Sequence, residues 1–393
     1  MREKAMREKL WTRDFILICT VYFFTNLYPN LLISTFPFYI KSLGGAELTV
    51  GLAASLFSAA AIITRPVAGY LVDQYSRSLP LLAGLCVVML ISLGYAFLPW
   101  LAAILLLRMT HGLVHGMLGT AISACACDAL PASRFSEGMG FFGMMTALPL
   151  AVAPALGLLI MEHAGFRPLF LLLAALIGAA LLLAARIHYH PVQRQRGKRL
   201  TLSRIFNKDA LPASLIVMFA FLPYSGMASF IALYAAERSL GSTGVYFIFW
   251  AAASTAARFF FGRLCDRRGE RLPILIGNAC FITGLVLTVL ARGPLLFWLS
   301  GLIYGSGFGV CAPALQTMSV RISPPERRGA ASSTYLIFCD LGNVIGGALG
   351  GVLASAVGYR PMFLLLSISC LVSISLYEFW GKHTPSAFAK AYA

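Results

Sequence analysis

The chain is a succession of apolar runs, each of about 20 residues or more, that fill almost its whole length. A helix needs about 20 apolar residues to cross a hydrocarbon core of roughly 30 Å. The runs are apolar throughout, whereas the strands of a membrane barrel alternate apolar and polar residues. The sequence therefore predicts an all-α membrane protein whose runs are transmembrane helices.

Twelve such runs, here called spans 1 to 12, can be counted, six in each half of the chain. They lie near residues 14–40, 48–72, 79–98, 100–128, 137–162, 166–188, 211–236, 242–264, 271–291, 294–320, 327–356 and 359–380. The first run is too long for the core of a signal peptide, so we interpret it as a retained span. We expect tails at 1–13 and 381–393, six-helix bundles at 14–188 and 211–380, and a linker at 189–210, where Pro191 and a basic run interrupt the apolar pattern.

The composition excludes a soluble globular protein, and the distribution of charge argues against binding to nucleic acid. Only 12% of the residues are charged, against about 25% in soluble domains. The net charge of +16 comes from basic residues that cluster in alternate loops, and such loops are cytoplasmic. We expect a multi-pass protein of the inner (plasma) membrane that contacts lipid, has both termini in the cytoplasm and binds no nucleic acid.

The sequence contains no motif for a cofactor, a metal or an enzymatic reaction. Its nine cysteines are scattered, mostly within apolar runs, which predicts neither a disulfide framework nor a zinc site. The phosphate-binding G-x-x-x-x-G-K-[ST] pattern, the H-E-x-x-H pattern and a serine nucleophile elbow are absent. We therefore expect neither an enzyme nor a cofactor.

The two halves of the chain repeat one another at an offset of 193 residues. At this offset Arg65, Gly69 and Asp73 recur as Arg258, Gly262 and Asp266, and the stretch 165–170 aligns with 358–363. Because each half has an even number of spans, both enter the membrane in the same sense. The repeat predicts two pseudo-symmetric bundles related by an axis along the membrane normal.

Each half carries a glycine-leucine-aspartate loop after its second span. The copies are Gly69-x-Leu71-x-Asp73-x-x-x-Arg77 and Gly262-x-Leu264-x-Asp266-Arg267-x-Gly269-x-Arg271. Both resemble the signature loop of the major facilitator superfamily, and the first copy departs from it at Gln74, Ser76 and Ser78. The resemblance covers the entire chain and implies the major facilitator fold and secondary transport.

In that superfamily the loop aspartate closes the cytoplasmic side against span 11, supported by the loop arginine and an aspartate of span 4. The resemblance assigns these roles to Asp73, Arg77 and Asp128, although Asp128 could also be an ordinary solvated charge at a helix end. A carboxylate at the positive end of a helix is stabilised by about 0.3 to 2 kcal/mol. The gating residues that we expect are Gly69, Asp73, Arg77, Asp128, Arg134, Gly262, Asp266, Arg267 and Arg271.

Span 4 carries basic side chains inside the membrane, with Arg108, His111 and His115 on one helical face. A charge at this depth costs at least about 2.5 kcal/mol and usually marks a pathway, although Arg108 could instead snorkel to the outer interface. The stretch Arg108-x-x-x-Gly112-x-x-x-Gly116 resembles a second superfamily pattern, whose arginine is linked to proton coupling in efflux members. For the histidine pair we favour packing or proton exchange over a metal site.

Asp340 lies 13 residues after Arg327, about 20 Å along an ideal helix, and is the only acid that we place near mid-membrane. We expect Asp340, Arg108, His111 and His115 to carry proton coupling. Candidates for contact with a substrate are polar residues within the spans, each of which could equally form an interhelical hydrogen bond: Asn26, Tyr28, Asn30, Tyr224, Tyr304 and Asn343.

The sequence predicts a secondary active transporter in which two bundles rock around a central site, with a small organic molecule and protons as its partners. The leading hypothesis is proton-coupled efflux of a drug or metabolite by a monomer. Span 5, with Pro149, Pro154 and Gly157, resembles a drug-antiporter pattern, but span 1 lacks the acid that many such antiporters carry. A siderophore or metabolite exporter and a solute:proton symporter remain alternatives, whereas no re-entrant segment supports a channel.

Overall fold

The computed structural model describes residues 9–74, 76–131, 134–189, 207–268, 270–323 and 328–383. Within these ranges it does not describe the side chains of residues 66, 69, 70, 73, 74, 135–137, 140, 147, 151, 259–268, 320, 321, 328–330 and 381–383. The described residues form helices and no strand. The predicted all-α architecture is therefore confirmed.

In the described part of the chain, twelve long helices lie where the apolar runs predict them, with a short 3₁₀ turn at Lys208–Ala210 before the seventh. Their bounds are α1 Arg13–Ser42, α2 Glu47–Gln74, α3 Ser78–Phe97, α4 Leu101–Ala129, α5 Phe135–Ala164, α6 Phe166–Ala184, α7 Leu211–Glu237, α8 Thr243–Arg268, α9 Arg271–Leu290, α10 Pro294–Arg321, α11 Arg328–Val357 and α12 Tyr359–His383. Over the described residues, eleven helices are long and apolar enough to cross a bilayer. The predicted bounds differ from these by only a few residues.

Two helix boundaries repeat at the offset of 193 residues. Gly165, between α5 and α6, has a φ of +83°, and Gly358, between α11 and α12, has a φ of +80°. Glycine adopts this left-handed conformation without the steric cost that a side chain adds. A proline three residues after each glycine then lies in the first turn of the next helix, where its missing N–H is not needed.

Close contacts divide the chain into two compact units. The first unit contains residues 1–35 and 60–199, and the second contains 36–59 and 200–393. The end of α1 and the first part of α2 therefore pack with helices of the second half. The sequence repeat does not predict this arrangement, because it shows which segments are equivalent but not which segments are in contact.

The interhelical contacts within the two units recur at the same offset. A Cβ atom added to Gly116 on α4 would lie 2.6 Å from the Ala61 carbonyl oxygen, and one added to Gly309 on α10 would lie 2.2 Å from that of Ser254. Both distances are too short for a side chain, so glycine lets each helix pair approach closely. The repeat in the sequence is thus a repeat in packing.

In the second unit, the first part of α2 lies against α11 along a seam of small residues. A Cβ atom on Gly51 would come within 2.3 Å of the Gly347 carbonyl oxygen. Beside it, Ser55 Oγ donates a hydrogen bond of 2.7 Å to the Val344 carbonyl oxygen. We call this contact the α2–α11 seam.

Polar side chains lie at one end of the α2–α11 seam. Tyr359 Oη donates to Glu47 Oε1 at 3.3 Å, and Lys41 forms an ion pair with the same carboxylate. The end of α1, the start of α2 and the start of α12 are therefore joined by one carboxylate.

Candidate transport site

The first unit contains a polar cluster on α4 that is enclosed by its own helices. Arg108 is only 7% exposed, and its Nη1 lies 3.4 Å from His111 Nδ1. The ring of Tyr28 on α1 meets the His111 ring edge-on, with centroids 4.7 Å apart. We call Tyr28, Arg108, His111 and His115 the polar cluster, and it brings together three of the four predicted coupling residues.

His115 extends the polar cluster by one helical turn, with its ring centroid 6.2 Å from that of His111. The two imidazoles, Tyr28 and Thr25 line a cavity of about 10 Å³. This volume is close to the minimum that holds one water molecule. The cluster can therefore accommodate a proton donor or acceptor between its rings.

Tyr28, predicted as a substrate contact, is buried inside the first unit. Ser92 Oγ on α3 is hydrogen-bonded to Tyr28 Oη at 2.9 Å. Because the buried phenol already has a hydrogen-bond partner, its polar group needs no ligand to be satisfied. Its role as a substrate contact stays a prediction.

Asn26 and Asn30, the other candidates on α1, are half-buried and turn their amide groups onto their own helix. Asn26 Nδ2 donates to the Tyr22 carbonyl oxygen at 2.8 Å, and Asn30 Nδ2 donates to the Asn26 carbonyl oxygen at 2.8 Å. These are bonds within one helix rather than between helices. The amide donors are therefore in use in this conformation.

In the second unit, the corresponding region consists of aromatic rings. Phe308 on α10 has its centroid 5.2 Å from Trp250 on α8, 5.3 Å from Tyr224 on α7 and 5.0 Å from Phe221. We call these four residues the aromatic cluster. Tyr224 was predicted as a substrate contact, whereas the other three were not singled out in the sequence.

Two hydrogen-bond donors at the aromatic cluster are buried without a partner. Within the described part of the chain, neither Trp250 Nε1 nor Tyr304 Oη has a hydrogen-bond partner, although the two residues are 2% and 0% exposed. An unsatisfied buried donor costs about 1 to 3 kcal/mol. Tyr304, another predicted substrate contact, lies one helical turn before Phe308 and packs on Phe281 of α9, with ring centroids 4.9 Å apart.

The other candidates of the second unit lie on α11. Asp340 and Asn343 are both half-buried, and the buried Oδ1 of Asn343 has no hydrogen-bond partner among the described residues. A half-buried carboxylate within a span is costly and is expected to serve a function. Coupling by Asp340 and substrate contact by Asn343 stay predictions.

Arg77 and Asp128, two of the predicted gating residues, are in contact. Arg77 Nε lies 2.5 Å from Asp128 Oδ2, and Nη2 lies 3.3 Å from Oδ1. Two parallel contacts of this kind form the strong bidentate geometry of an arginine and a carboxylate. The side chains are only 18% and 28% exposed, so Asp128 is not an isolated, fully solvated charge.

The Arg77–Asp128 ion pair lines a cavity of about 180 Å³ that also touches Asp14, His188 and Tyr189. Asp14 Oδ1 accepts a hydrogen bond of 3.2 Å from the His188 backbone N–H. Burial raises the pKa of the Tyr189 phenol, whose hydroxyl donates to the Ala184 carbonyl oxygen at 2.7 Å. The segment after α6 is thus fixed to the start of α1.

The remaining gating candidates are only partly described. Arg271 forms an ion pair with Glu378, with Nε 3.0 Å from Oε1, and the two side chains are 67% and 33% exposed. Arg134 precedes α5 and is half-buried. The functional groups that the prediction requires at Gly69, Asp73, Gly262, Asp266 and Arg267 lie outside the described residues, as does the start of span 11 that Asp73 was expected to meet.

Metal binding by the histidines of α4 finds no support in the geometry. Among the described residues, no group of three or more His, Cys, Asp and Glu side chains could hold a metal ion. Structural features that sequence reasoning missed are the α2–α11 seam, Asp14 with the segment after α6, and Trp250 with Phe308. Glycine spacing on α11 could have indicated the seam, whereas no local signal marks the aromatic pair.

Comparison with known sequences matches the chain to one family over almost its whole length. The model of the Major Facilitator Superfamily matches residues 15–336 and 214–392. An uncharacterized MFS-type transporter of Burkholderia pseudomallei (strain 1106a) is 26% identical over 381 residues, which are 93% of this chain and 91% of the relative. A multi-drug resistance efflux pump homologue of Lactococcus lactis subsp. lactis (strain IL1403) is 25% identical over 382 residues, which are 93% and 94% of the two chains.

Solved structures with the same arrangement of helices are also transporters. A mutant of the nucleoside transporter NupG aligns with a TM-score of 0.80 and 13% identity over 93% of this chain and 98% of its own. A bacterial homologue of the human lysosomal transporter Spinster aligns with a TM-score of 0.77 and 15% identity, covering 95% of this chain and 97% of its own. At such identities these structures show the fold alone.

Proposed function

The chain belongs to the major facilitator superfamily, and we propose that it exports a small organic compound in exchange for protons. It is a multi-pass membrane transporter and not an enzyme. The observation that carries the proposal is the buried Arg108 beside His111 and His115 in the first unit. Protein interiors rarely hold such a charge inside a span without a function.

Proton coupling requires a group that gains and loses a proton during transport. Asp340 is the half-buried acid within α11, and the imidazoles of the polar cluster are further titratable groups. We assign proton uptake and release to Asp340, with protonation of this residue alternating with substrate binding. Arg108 provides a fixed positive charge, and His111 and His115 exchange protons beside it.

Alternating access requires contacts that break and re-form during each cycle. The α2–α11 seam is suited to this, because it joins a segment from the first half of the chain to the second unit through small residues and few polar bonds. Small interfaces of this kind separate without leaving many buried groups unsatisfied. We assign the seam to closure at one face of the membrane, and the Arg77–Asp128 ion pair to the gate at the other.

The direction of transport is inferred from two features. The stretch from Arg108 to Gly116 resembles the pattern linked to proton coupling in efflux members, and a relative at 25% identity is described as a homologue of a multidrug efflux pump. In the described part of α1 the one acid is Asp14, in the first turn, which favours a metabolite as cargo over a broad range of drugs. We place both termini in the cytoplasm and the protein, as a monomer, in the inner membrane.

Purified protein reconstituted into liposomes tests this function. Small organic solutes are offered one by one, with and without an imposed pH gradient, and uptake is followed by mass spectrometry. We expect at least one solute to accumulate only when the gradient is present. Equal flux of every transported solute with and without the gradient would refute proton coupling and leave facilitated transport.

A further inference from the structure

We propose that the second unit binds an aromatic carboxylate at the aromatic cluster, with Trp250, Tyr304 and Arg258 recognising its oxygen atoms. The inference rests on the proposed function, because it names the class of compound that the transporter would carry. Three independent features of the second unit support it: accessible rings, unused donors and a nearby positive charge.

The rings of the aromatic cluster offer a stacking surface at its edge. Trp250 is buried, whereas Tyr224 and Phe308 are partly exposed. Tyr224 is an exception on α7, since 78% of the membrane-spanning window of this helix is buried. A planar ring placed on Tyr224 and Phe308 would make offset or edge contacts, which aromatic pairs favour.

The unused donors indicate that the bound compound carries hydrogen-bond acceptors. Trp250 Nε1 and Tyr304 Oη come from facing helices α8 and α10, and both are buried without partners among the described residues. Tyr304 lies one helical turn before Phe308 on α10. Native proteins satisfy nearly all buried donors, so a pair left open beside accessible rings is expected to meet a ligand.

Arg258 indicates that the acceptor is negatively charged. Its guanidinium carbon lies 5.9 Å from the centroid of the Phe308 ring. Among the described residues, the guanidinium also interacts electrostatically with the Tyr335 phenol, but no carboxylate forms an ion pair with it. Arginine matches the planar geometry of a carboxylate with two parallel hydrogen bonds, so an aromatic acid would complement both the rings and the charge.

The repeat shows that these rings are not required by the shared packing. Positions 304 and 308 of α10 correspond to 111 and 115 of α4 at the offset of 193 residues, and α4 carries histidines there. The same helix position thus folds with either type of side chain. The aromatic residues of α10 are therefore free to specify a ligand.

Binding to purified protein in lipid nanodiscs, measured by calorimetry, tests the inference. The probes are 1-naphthoate, 1-naphthylmethylamine and cyclohexanecarboxylate, which separate the contribution of the ring from that of the charge. We expect 1-naphthoate to bind and the other two to bind at least about tenfold more weakly. Equal or tighter binding of the amine, or no binding of any naphthyl compound by folded protein, would overturn the proposal.

Conservative variants assign the contacts. We expect Trp250→Phe and Tyr304→Phe each to weaken 1-naphthoate binding about fivefold, the effect of one lost hydrogen bond. Arg258→Gln should remove the preference for 1-naphthoate over the amine, and Arg258→Lys should restore part of it. The matched control is Tyr234→Phe near the end of α7, whose ring packs on Phe363 outside the aromatic cluster, and its affinity should equal that of the wild type.

Thermal melting of each variant separates a binding defect from unfolding. If Tyr234→Phe weakens binding as much as Tyr304→Phe does, the assignment is wrong. The inference and the proposed function fail in different ways. If a pH gradient drives flux of other solutes but 1-naphthoate does not bind, the aromatic-acid site is rejected and the proposed export function is kept. If 1-naphthoate binds but no solute shows gradient-driven flux, the binding site is kept and proton-coupled export is rejected.

Discussion

The two units differ most on α4 and α10, helices that occupy matched positions in the repeat. Arg108, His111 and His115 of α4 correspond to Gly301, Tyr304 and Phe308 of α10. The first set belongs to the polar cluster, while two members of the second set are aromatic. We propose that the matched positions serve proton exchange in one unit and ligand recognition in the other.

The packing around these positions explains why the difference is tolerated. A Cβ atom at Gly301 would lie 2.8 Å from the ring and 2.9 Å from the carbonyl oxygen of Tyr246. Helix α8 thus fills the space that an arginine would need in the second unit. By contrast, the contacts at Gly116 and Gly309 are the same in both units, so the scaffold is shared and the polar side chains are not.

The largest expected effect comes from disrupting the shared scaffold. Gly116→Leu and Gly309→Leu place a side chain where a Cβ atom would already be 2.6 Å and 2.2 Å from a backbone oxygen. We expect each to destabilise the protein by about 3 kcal/mol, at the upper end for overpacking, and to reduce the yield of monodisperse protein. Thermal unfolding in detergent measures the loss.

The control for the scaffold is Gly119→Leu on the same helix, because no atom lies within 4 Å of a Cβ at Gly119. The melting temperature of this variant should be close to that of the wild type. If the melting temperature of Gly116→Leu equals that of Gly119→Leu while that of Gly309→Leu is much lower, the close glycine contact is required for stability in the second unit but not in the first.

The α2–α11 seam tests whether residues 36–59 must separate from the second unit during transport. In Ser55→Cys with Gly347→Cys, an oxidant should form a disulfide, because a Cβ atom added to Gly347 would lie 3.0 Å from Ser55 Oγ. We expect most of the flux to disappear on oxidation and to return on reduction, relative to wild type treated in the same way. Full flux in cross-linked protein would show that the seam stays closed throughout the cycle.

Exchanging the residues at positions 111 and 304 tests the division of roles between the units. We expect His111→Tyr to reduce flux driven by a pH gradient by at least about tenfold, a change of 1.4 kcal/mol, because it removes an imidazole from the polar cluster. Tyr304→His should change ligand affinity while leaving the dependence on the gradient intact. The opposite result, with coupling lost only in Tyr304→His, would place proton exchange in the second unit.

The smallest effects are expected at the two ion pairs. Arg77→Ala removes a bidentate pair whose side chains are only partly shielded from solvent, and should cost about 1 kcal/mol of stability. Arg271→Ala removes a more exposed pair and should cost less than about 0.5 kcal/mol. Double-mutant cycles with Asp128→Ala and Glu378→Ala measure both couplings. A larger coupling for Arg271 with Glu378 would reverse the ranking of the pairs.

The helices were predictable because a bilayer requires every span to be long and apolar. The repeat was recognisable because matching residues recur at one constant offset. The resemblance of the signature loop also placed Arg77 and Asp128 in one relay, and the structure brings these side chains together, although their gating role stays a prediction. The structure buries Arg108 beside His111, whereas the sequence left open whether this side chain faces a cavity or reaches the outer interface. Local sequence pattern was sufficient in these cases because the partners lie on one helix or follow a known motif.

The aromatic cluster and the α2–α11 seam were not predictable from local pattern. Trp250 and Phe308 lie on different helices, and aromatic residues in apolar runs resemble any other core residue. Ser55 and Val344 are 289 positions apart, so their contact depends on the tertiary arrangement of whole helices. Such contacts become visible only when the helices are placed in space.

The central claim is that Asp340 and the polar cluster link solute movement to proton movement. Liposomes that contain wild type, Asp340→Asn or Arg108→Gln are compared in two assays, accumulation driven by a pH gradient and solute counterflow without a gradient, using a solute that the wild type transports. We predict that both variants lose gradient-driven accumulation and that Asp340→Asn retains counterflow, because exchange needs no net proton transfer. Undiminished gradient-driven accumulation in both variants would contradict the account.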